Sequence, residues 1–179
     1  MATNQPSWPR RWLMTDERLG ERLWEAVDRL PAGGGIVFRH YSLSESERLE
    51  IGRELGRRAV DRGLVLGVAG SRSLASDLDA ALVHNPSEPG SLPASTAVHD
   101  EAQAAAARKM GAALAFIGPI FPTRSHPGRP ALGQERAREL ALLVGCPAIA
   151  LGGMDENRFA ALHQRGFHGF AGIDCWLRT

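Results

Sequence analysis

Phe116-Ile-Gly-Pro-Ile-Phe-Pro-Thr123 is the segment on which the fold of this 179-residue chain is decided. From Leu114 to Gly118 the side chains are apolar or small, the composition of a buried strand. A Pro/Gly turn follows at once and ends in hydroxyl and basic groups, Thr123-Arg-Ser-His126. A strand that hands polar groups to the loop at its carboxyl end is the building unit of an α/β-barrel.

Outward from this segment, short apolar runs alternate with amphipathic ones, the pattern of an α/β protein with parallel strands. Strands are predicted at Trp12 to Thr15, Gly35 to Arg39, Leu64 to Ala69, Ala81 to His84, Ser95 to Val98, Leu114 to Gly118, Ala148 to Leu151 and Gly169 to Ile173. Helices are predicted near Arg18 to Leu30, Ser44 to Arg62, Leu74 to Asp79, Asp100 to Met110, Gln134 to Val144 and Asp155 to Arg165. Ser44 and Glu47 have the spacing of a capping box. Leu49, Ile51, Leu55, Ala59 and Val60 then fall close to one helix face. Gly63, Gly111, Gly145 and Gly166 each stand just past a helix, where a left-handed residue ends it.

Two parts of a full barrel are missing. Between His84 and Ser95 stand only Asn-Pro-Ser-Glu-Pro-Gly-Ser-Leu-Pro-Ala, and its prolines leave no room for a helix. The residues after Ile173 are too few for a closing one. The expected architecture is therefore α/β, a compact, incomplete TIM (β/α)8 barrel. Its helix after the fourth strand and its final helix are missing or reduced. The whole chain, 1–179, is expected to be a single domain with residues 1–10 as a flexible arm. Strand backs left bare would mark an interface, so a homodimer or higher homo-oligomer is expected.

Composition narrows the function classes. The length buries a sizeable core but falls short of the roughly 200 residues of a complete barrel. Apolar residues make up 44%, as in globular chains, and the net charge is only +1. The basic residues are scattered, which leaves no electrostatic footprint for nucleic acid. The longest apolar stretches are too short to span a membrane, and the first residues lack the layout of a signal peptide. A cytoplasmic protein is expected, with Cys146 and Cys175 as buried free thiols. Lys109 is the only lysine and closes its own helix, so lysine Schiff-base chemistry is set aside.

At Gly118-Pro-Ile-Phe-Pro-Thr123 and Leu151-Gly-Gly-Met154 the chain resembles thiamine phosphate synthase and its sister, the thiazole tautomerase. Trp12-Leu-Met-Thr-Asp16, Phe38-Arg39 and His99 extend the resemblance from about residue 12 to 176. It implies a transferase of thiamine biosynthesis or salvage. Such an enzyme joins hydroxymethylpyrimidine diphosphate to a thiazole phosphate with the help of magnesium. In this resemblance Arg39 matches the arginine that meets the diphosphate, and its planar fork suits phosphate oxygens. Thr123 and Ser125 keep hydroxyls at matching places, while His126 replaces a lysine and carries a pH-dependent charge. Gly152 and Gly153 match half of a backbone phosphate site. Arg39 and His126 are the candidate catalytic residues.

The departures bear on the same chemistry. Val37 stands for a glutamine and Tyr41 for a lysine. Ala69 and Gly70 stand where the family holds magnesium with an Asn-Asp pair, and Ala97 and Asp174 each replace a serine. Pro119 occupies the slot of the tautomerase histidine. Glu88 could substitute for a second acidic ligand, but one carboxylate makes a poor magnesium site. No metal site is assigned and no cofactor is certain, magnesium being implied by the resemblance alone. The expected partner is a small phosphorylated molecule. A non-catalytic anion-binding or partner protein on the same barrel is the alternative.

His40, His84, His99 and His126 fall at or just beyond strand carboxyl ends, which raises a repurposed pocket for proton transfer or a transition metal. No His-x-His, His-Glu-x-x-His or Cys-x-x-Cys spacing supports the metal, and His99 also reads as a structural helix opener. Arg39, Arg124, His126 and Arg129 form either an anion-binding mouth or a solvated basic loop, and Arg39 has Glu45 as another possible partner. Trp176 either plugs the barrel end or meets a second subunit.

Overall fold

In the computed structural model, which describes residues 7–125, 128 and 130–177, eight strands follow one another round a closed ring. They are β1 (Arg11–Met14), β2 (Gly35–Phe38), β3 (Val65–Ala69), β4 (Leu82–His84), β5 (Ala94–Val98), β6 (Leu114–Ile117), β7 (Ala148–Leu151) and β8 (Gly169–Gly172). Each pairs in parallel with its neighbours in sequence, and β8 closes on β1. The ring of strands is thus complete, and only the outer layer is reduced.

Register decides which side chains fill the interior. Trp12 lies beside Gly35 on one side and Ala171 on the other, so all three face inward. Across the barrel the Trp12 ring meets Phe116 edge-on at 5.6 Å, and Phe116 meets His84 at 5.2 Å. A Cβ at Gly35 would overlap the Trp12 ring, which explains the missing side chain there.

The outer helices are α1 (Arg22–Arg29), α2 (Glu45–Arg62), α3 (Arg72–Asp77), α4 (Glu101–Lys109), α5 (Gln134–Leu143) and α6 (Glu156–His163). The first predicted helix is split, because Gly20 takes φ 49 and ends a short 3-10 turn, Glu17–Leu19, before α1 begins. On α2 the capping box between Ser44 and Glu47 is formed. Ser44→Ala is expected to cost about 1 kcal/mol, read as a lower denaturation midpoint with an unchanged slope. The buried face of α2 is Gly52, Leu55 and Ala59, whereas Val60 is 82% exposed and leaves the predicted stripe. One residue past Ala59 turns the helix by about 100°, away from the barrel.

No helix intervenes between β4 and β5. The connecting loop is instead tied to the start of α3 by Arg72, which donates to the carbonyls of Glu88 (2.6 Å) and Leu92 (3.2 Å). Val83, on the outer face of β4, is fully buried. This corrects the expectation that a missing helix leaves that strand back bare. Among the described residues the large exposed apolar side chains are Tyr41, Val60, Met110, Leu142 and Leu143.

After β8 the chain makes only a 3-10 turn, Asp174–Trp176. The Trp176 ring stacks on Phe170 at 5.6 Å and its indole N–H donates to the Trp12 carbonyl at 3.0 Å. It therefore covers the β8–β1 seam within its own chain. The arm expected over residues 1–10 lies partly outside the described residues, but its end is tied down. His168 Nε2 donates to the Trp8 carbonyl (2.7 Å), and Phe170 N donates to the Arg10 carbonyl (2.8 Å).

Both cysteines are free and half-buried, and Cys175 sits in the final turn rather than in a strand. Burial pushes the Cys146 thiol up to about 11 and the Cys175 thiol to about 12, so neither is a reactive thiolate at neutral pH. Among the described residues no helix is long and apolar enough to cross a membrane.

Candidate functional site

The carboxyl ends of β1, β2 and β5 to β8 enclose a cavity of about 90 Å3. Its apolar walls include Met14, Leu151, Met154 and Ile173, and its polar groups are Arg39, His99, Thr123, Ser125 and Asp174. The sequence-predicted Arg39, Thr123, Ser125, Gly152 and Gly153 are all brought together here. His126 lies outside the described residues, as does Arg129 of the predicted basic mouth.

Arg39 is positioned by the residues that end β1. Its backbone N–H donates to Thr15 Oγ1 (2.9 Å) and its Nε to the Thr15 carbonyl (2.9 Å), while a terminal nitrogen lies 3.6 Å from the Asp16 carboxylate. Asp16, not Glu45, is therefore its acidic partner. Burial pushes Arg39 below the ordinary arginine value and the Asp16 charge opposes this. An arginine remains a cation throughout the working pH range. Asp16 also accepts from Arg18 Nε at 2.8 Å. Burial raises the Asp16 carboxyl, but the Arg18 hydrogen bonds outweigh it and the group lies below its usual range.

The loop after β6 is fastened across the mouth to the segments that follow β1 and β8. Arg18 donates to Ser125 Oγ at 3.2 Å, and Arg124 pairs with Asp174 at 3.2 Å. The double glycine has a packing reason of its own. Gly152 has φ 92, and a Cβ there would overlap Pro119; Gly153 has φ 62, and a Cβ there would lie 2.8 Å from the Pro122 carbonyl. The β6 loop is seated directly on them, with Phe121 N donating to the Gly152 carbonyl at 3.1 Å. Both glycines line the cavity, where their positive φ and missing side chains bring the backbone close to whatever occupies it.

Among the described residues the predicted rim of histidines does not assemble. His40 follows Arg39 by one residue and so points to the opposite face, 5.1 Å from Phe38, where burial lowers its pKa. His84 is inside the barrel, bonded to Ser95 Oγ at 3.1 Å. Only His99 among the described histidines lines the cavity, with Nδ1 bonded to the Gly118 carbonyl. Among the described residues no group of three or more His, Cys, Asp or Glu is placed to hold a metal. Ala69 is fully buried and its carbonyl accepts from Arg48 at 2.9 Å. Gly70 offers no side chain, and Glu88 is exposed on the β4–β5 loop.

Sequence reasoning passed over Thr15 and Asp16 as functional groups, although both stand in the quoted Trp12-Leu-Met-Thr-Asp16 segment. Their polarity directly after an apolar strand was the available signal.

A closed ring of parallel strands with its polar groups gathered over the strand carboxyl ends defines a (β/α)8-barrel protein with a site at that face. The profile of the thiamine monophosphate synthase (TMP-TENI) family matches residues 12–175. The chain belongs to this family. A thiamine-phosphate synthase of Thermobifida fusca (strain YX) is 31% identical over 164 residues, covering 83% of this chain and 75% of that one. One of Methanosarcina barkeri (strain Fusaro / DSM 804) is 27% identical over 172 residues, covering 87% and 77%. The solved thiamine phosphate pyrophosphorylase from Pyrococcus furiosus superposes with a TM-score of 0.79 at 23% identity, covering 94% of this chain and 87% of that one. That likeness establishes the shared fold.

Proposed function

We propose that the chain is a thiamine phosphate synthase-like protein of thiamine biosynthesis or salvage that seats a thiazole phosphate and has lost the diphosphate-transfer half of the family reaction. The observation that carries this reading is the charge pairing at the mouth. Arg18 and Arg39 share Asp16, and Arg124 rests on Asp174, so these three cations bring little net positive charge to the mouth. A departing diphosphate develops charge that fixed, unpaired cations or a metal must stabilise. Ala69, Gly70 and the exposed Glu88 do not fit magnesium, a hard cation that wants several converging oxygens.

The monophosphate half fares better. The Gly152-Gly153 backbone lines the same cavity as Thr123, Ser125 and Arg39. Backbone donors, hydroxyls and one planar cation suit the three oxygens of a phosphate ester. The apolar walls suit a flat heterocycle. A cavity of about 90 Å3 is smaller than the usual ligand pocket of roughly 300 Å3 or more, so binding requires the mouth to widen.

Calorimetric titration with the thiazole phosphate, without divalent cations, is expected to show binding. Arg39→Ala is expected to weaken it by about 10- to 100-fold, the value of a charge-assisted hydrogen bond. With both family substrates and magnesium, no thiamine phosphate is expected above background. Rapid metal-dependent product formation by the purified protein would overturn this reading.

A further inference from the structure

We infer that Arg124 is a ligand-clamping residue of this mouth, and that Asp174 is its resident counter-ion, exchanged for the phosphate when ligand arrives. The inference rests on the phosphate reading of the cavity given above and adds a residue and an order of events to it.

Arg124 stands between Thr123 and Ser125, both of which line the cavity, and it reaches across the mouth to the turn after β8. Its Nε and one terminal nitrogen lie 3.3 and 3.2 Å from the same oxygen, Asp174 Oδ2. This is not the two-oxygen fork that makes an arginine–carboxylate pair strong, and it leaves guanidinium N–H groups for another acceptor. The side chains are 78% and 34% exposed, and an ion pair so open to solvent contributes little and breaks readily.

Asp174 itself lines the cavity beside Gly152 and Gly153. A phosphate at this double glycine would therefore sit next to a carboxylate of like charge. Among the described residues, one of the three arginines at this mouth has no second tie. Arg18 is bonded to Asp16 and Ser125, and Arg39 is bonded to the Thr15 carbonyl and faces Asp16, whereas Arg124 is bonded, among the described residues, to Asp174 alone. A phosphate ester offers more charge and more acceptor oxygens than one carboxylate, so the guanidinium moves from Asp174 to the ligand. Widening of the mouth frees it at the same time.

The test is a double-mutant cycle read by calorimetry with the thiazole phosphate at low ionic strength, without divalent cations. Asp174→Asn is expected to bind about 3- to 10-fold tighter, because a repelling charge and a competitor for Arg124 are both removed. Arg124→Ala is expected to weaken binding about 3-fold in the wild-type background but about 10-fold or more in the Asp174→Asn background. Asp174→Ser serves as the second variant if Asp174→Asn fails to fold. Equal losses in the two backgrounds would mean independent long-range charges, which overturns the exchange and leaves the phosphate reading standing. Tighter binding by Arg124→Ala would do the same. No binding by wild type and by Asp174→Asn alike overturns both readings together.

Discussion

Acidification from pH 7 to pH 4 is expected to cost this protein about 3 kcal/mol of stability through His84 alone. Burial, with a smaller contribution from the Arg39 charge, drives the His84 pKa down to about 3, against about 6.5 in an unfolded chain. Between those values the unfolded state binds a proton that the native state refuses. Stability therefore rises with pH across this window; it is fully present above about 6.5 and is lost as pH falls toward 3. The hydrogen bonds explain why protonation is refused. The Ala97 N–H donates to Asn85 Oδ1 at 2.8 Å, which turns the Asn85 amide nitrogen toward His84 Nε2 at 3.2 Å. Because that nitrogen only donates, Nε2 must accept, and the proton sits on Nδ1, donated to Ser95 Oγ at 3.1 Å. A second proton would set two donors face to face in the barrel core. His40 is shifted in the same direction and adds to the trend. His84→Gln is expected to flatten the difference in urea midpoint between pH 6 and pH 4. If wild type and variant lose stability in parallel over that range, His84 titrates normally and the account fails.

His84 also shows where the sequence is legible and where it stops. Eight apolar runs punctuated by Gly and Pro locate all of the strands within a residue or two, because a parallel strand buried on both faces has little freedom in composition. The motif-bearing ends of β2, β6 and β7 then bring Arg39, Thr123, Ser125, Gly152 and Gly153 to one cavity. Side-chain direction was less accessible. Arg39 and His40 are adjacent in sequence and face opposite sides of the sheet, and only the register with β1 and β3 says which faces in. The pairing that sets the charge at the mouth is harder still. Arg18 meets Ser125 across 107 residues and Arg124 meets Asp174 across 50, contacts created by closure of the ring rather than by any local pattern. The Arg72 tie to the β4–β5 loop belongs to the same class, since nothing about one arginine at a helix start announces that it anchors that loop.

Trp12→Ala is expected to be the most damaging single truncation, at about 4–5 kcal/mol, the upper part of the usual range for a buried aromatic. The side chain is fully buried, and its ring packs edge-on against Phe116 across the barrel. Its indole N–H donates to the Pro9 carbonyl at 2.7 Å, so truncation also leaves a buried acceptor without its donor. For a chain of this size such a loss lowers the thermal midpoint by about 10–15 °C. The local packing allows a sharper test than the loss itself. Gly35→Ala in the wild type forces a methyl group into the Trp12 ring and is expected to cost about 1–3 kcal/mol. In the Trp12→Ala background the same methyl group enters the vacated space. There it removes the conformational penalty of glycine in a strand, so Gly35→Ala is expected to stabilise by about 0.5–1 kcal/mol. The sign of one substitution thus reverses with the presence of the ring, which simple loss of apolar surface does not produce. Additive effects of the two changes, measured as denaturation midpoints of the four proteins, would show that Trp12 does not pack over Gly35 and that the interior is filled in some other way.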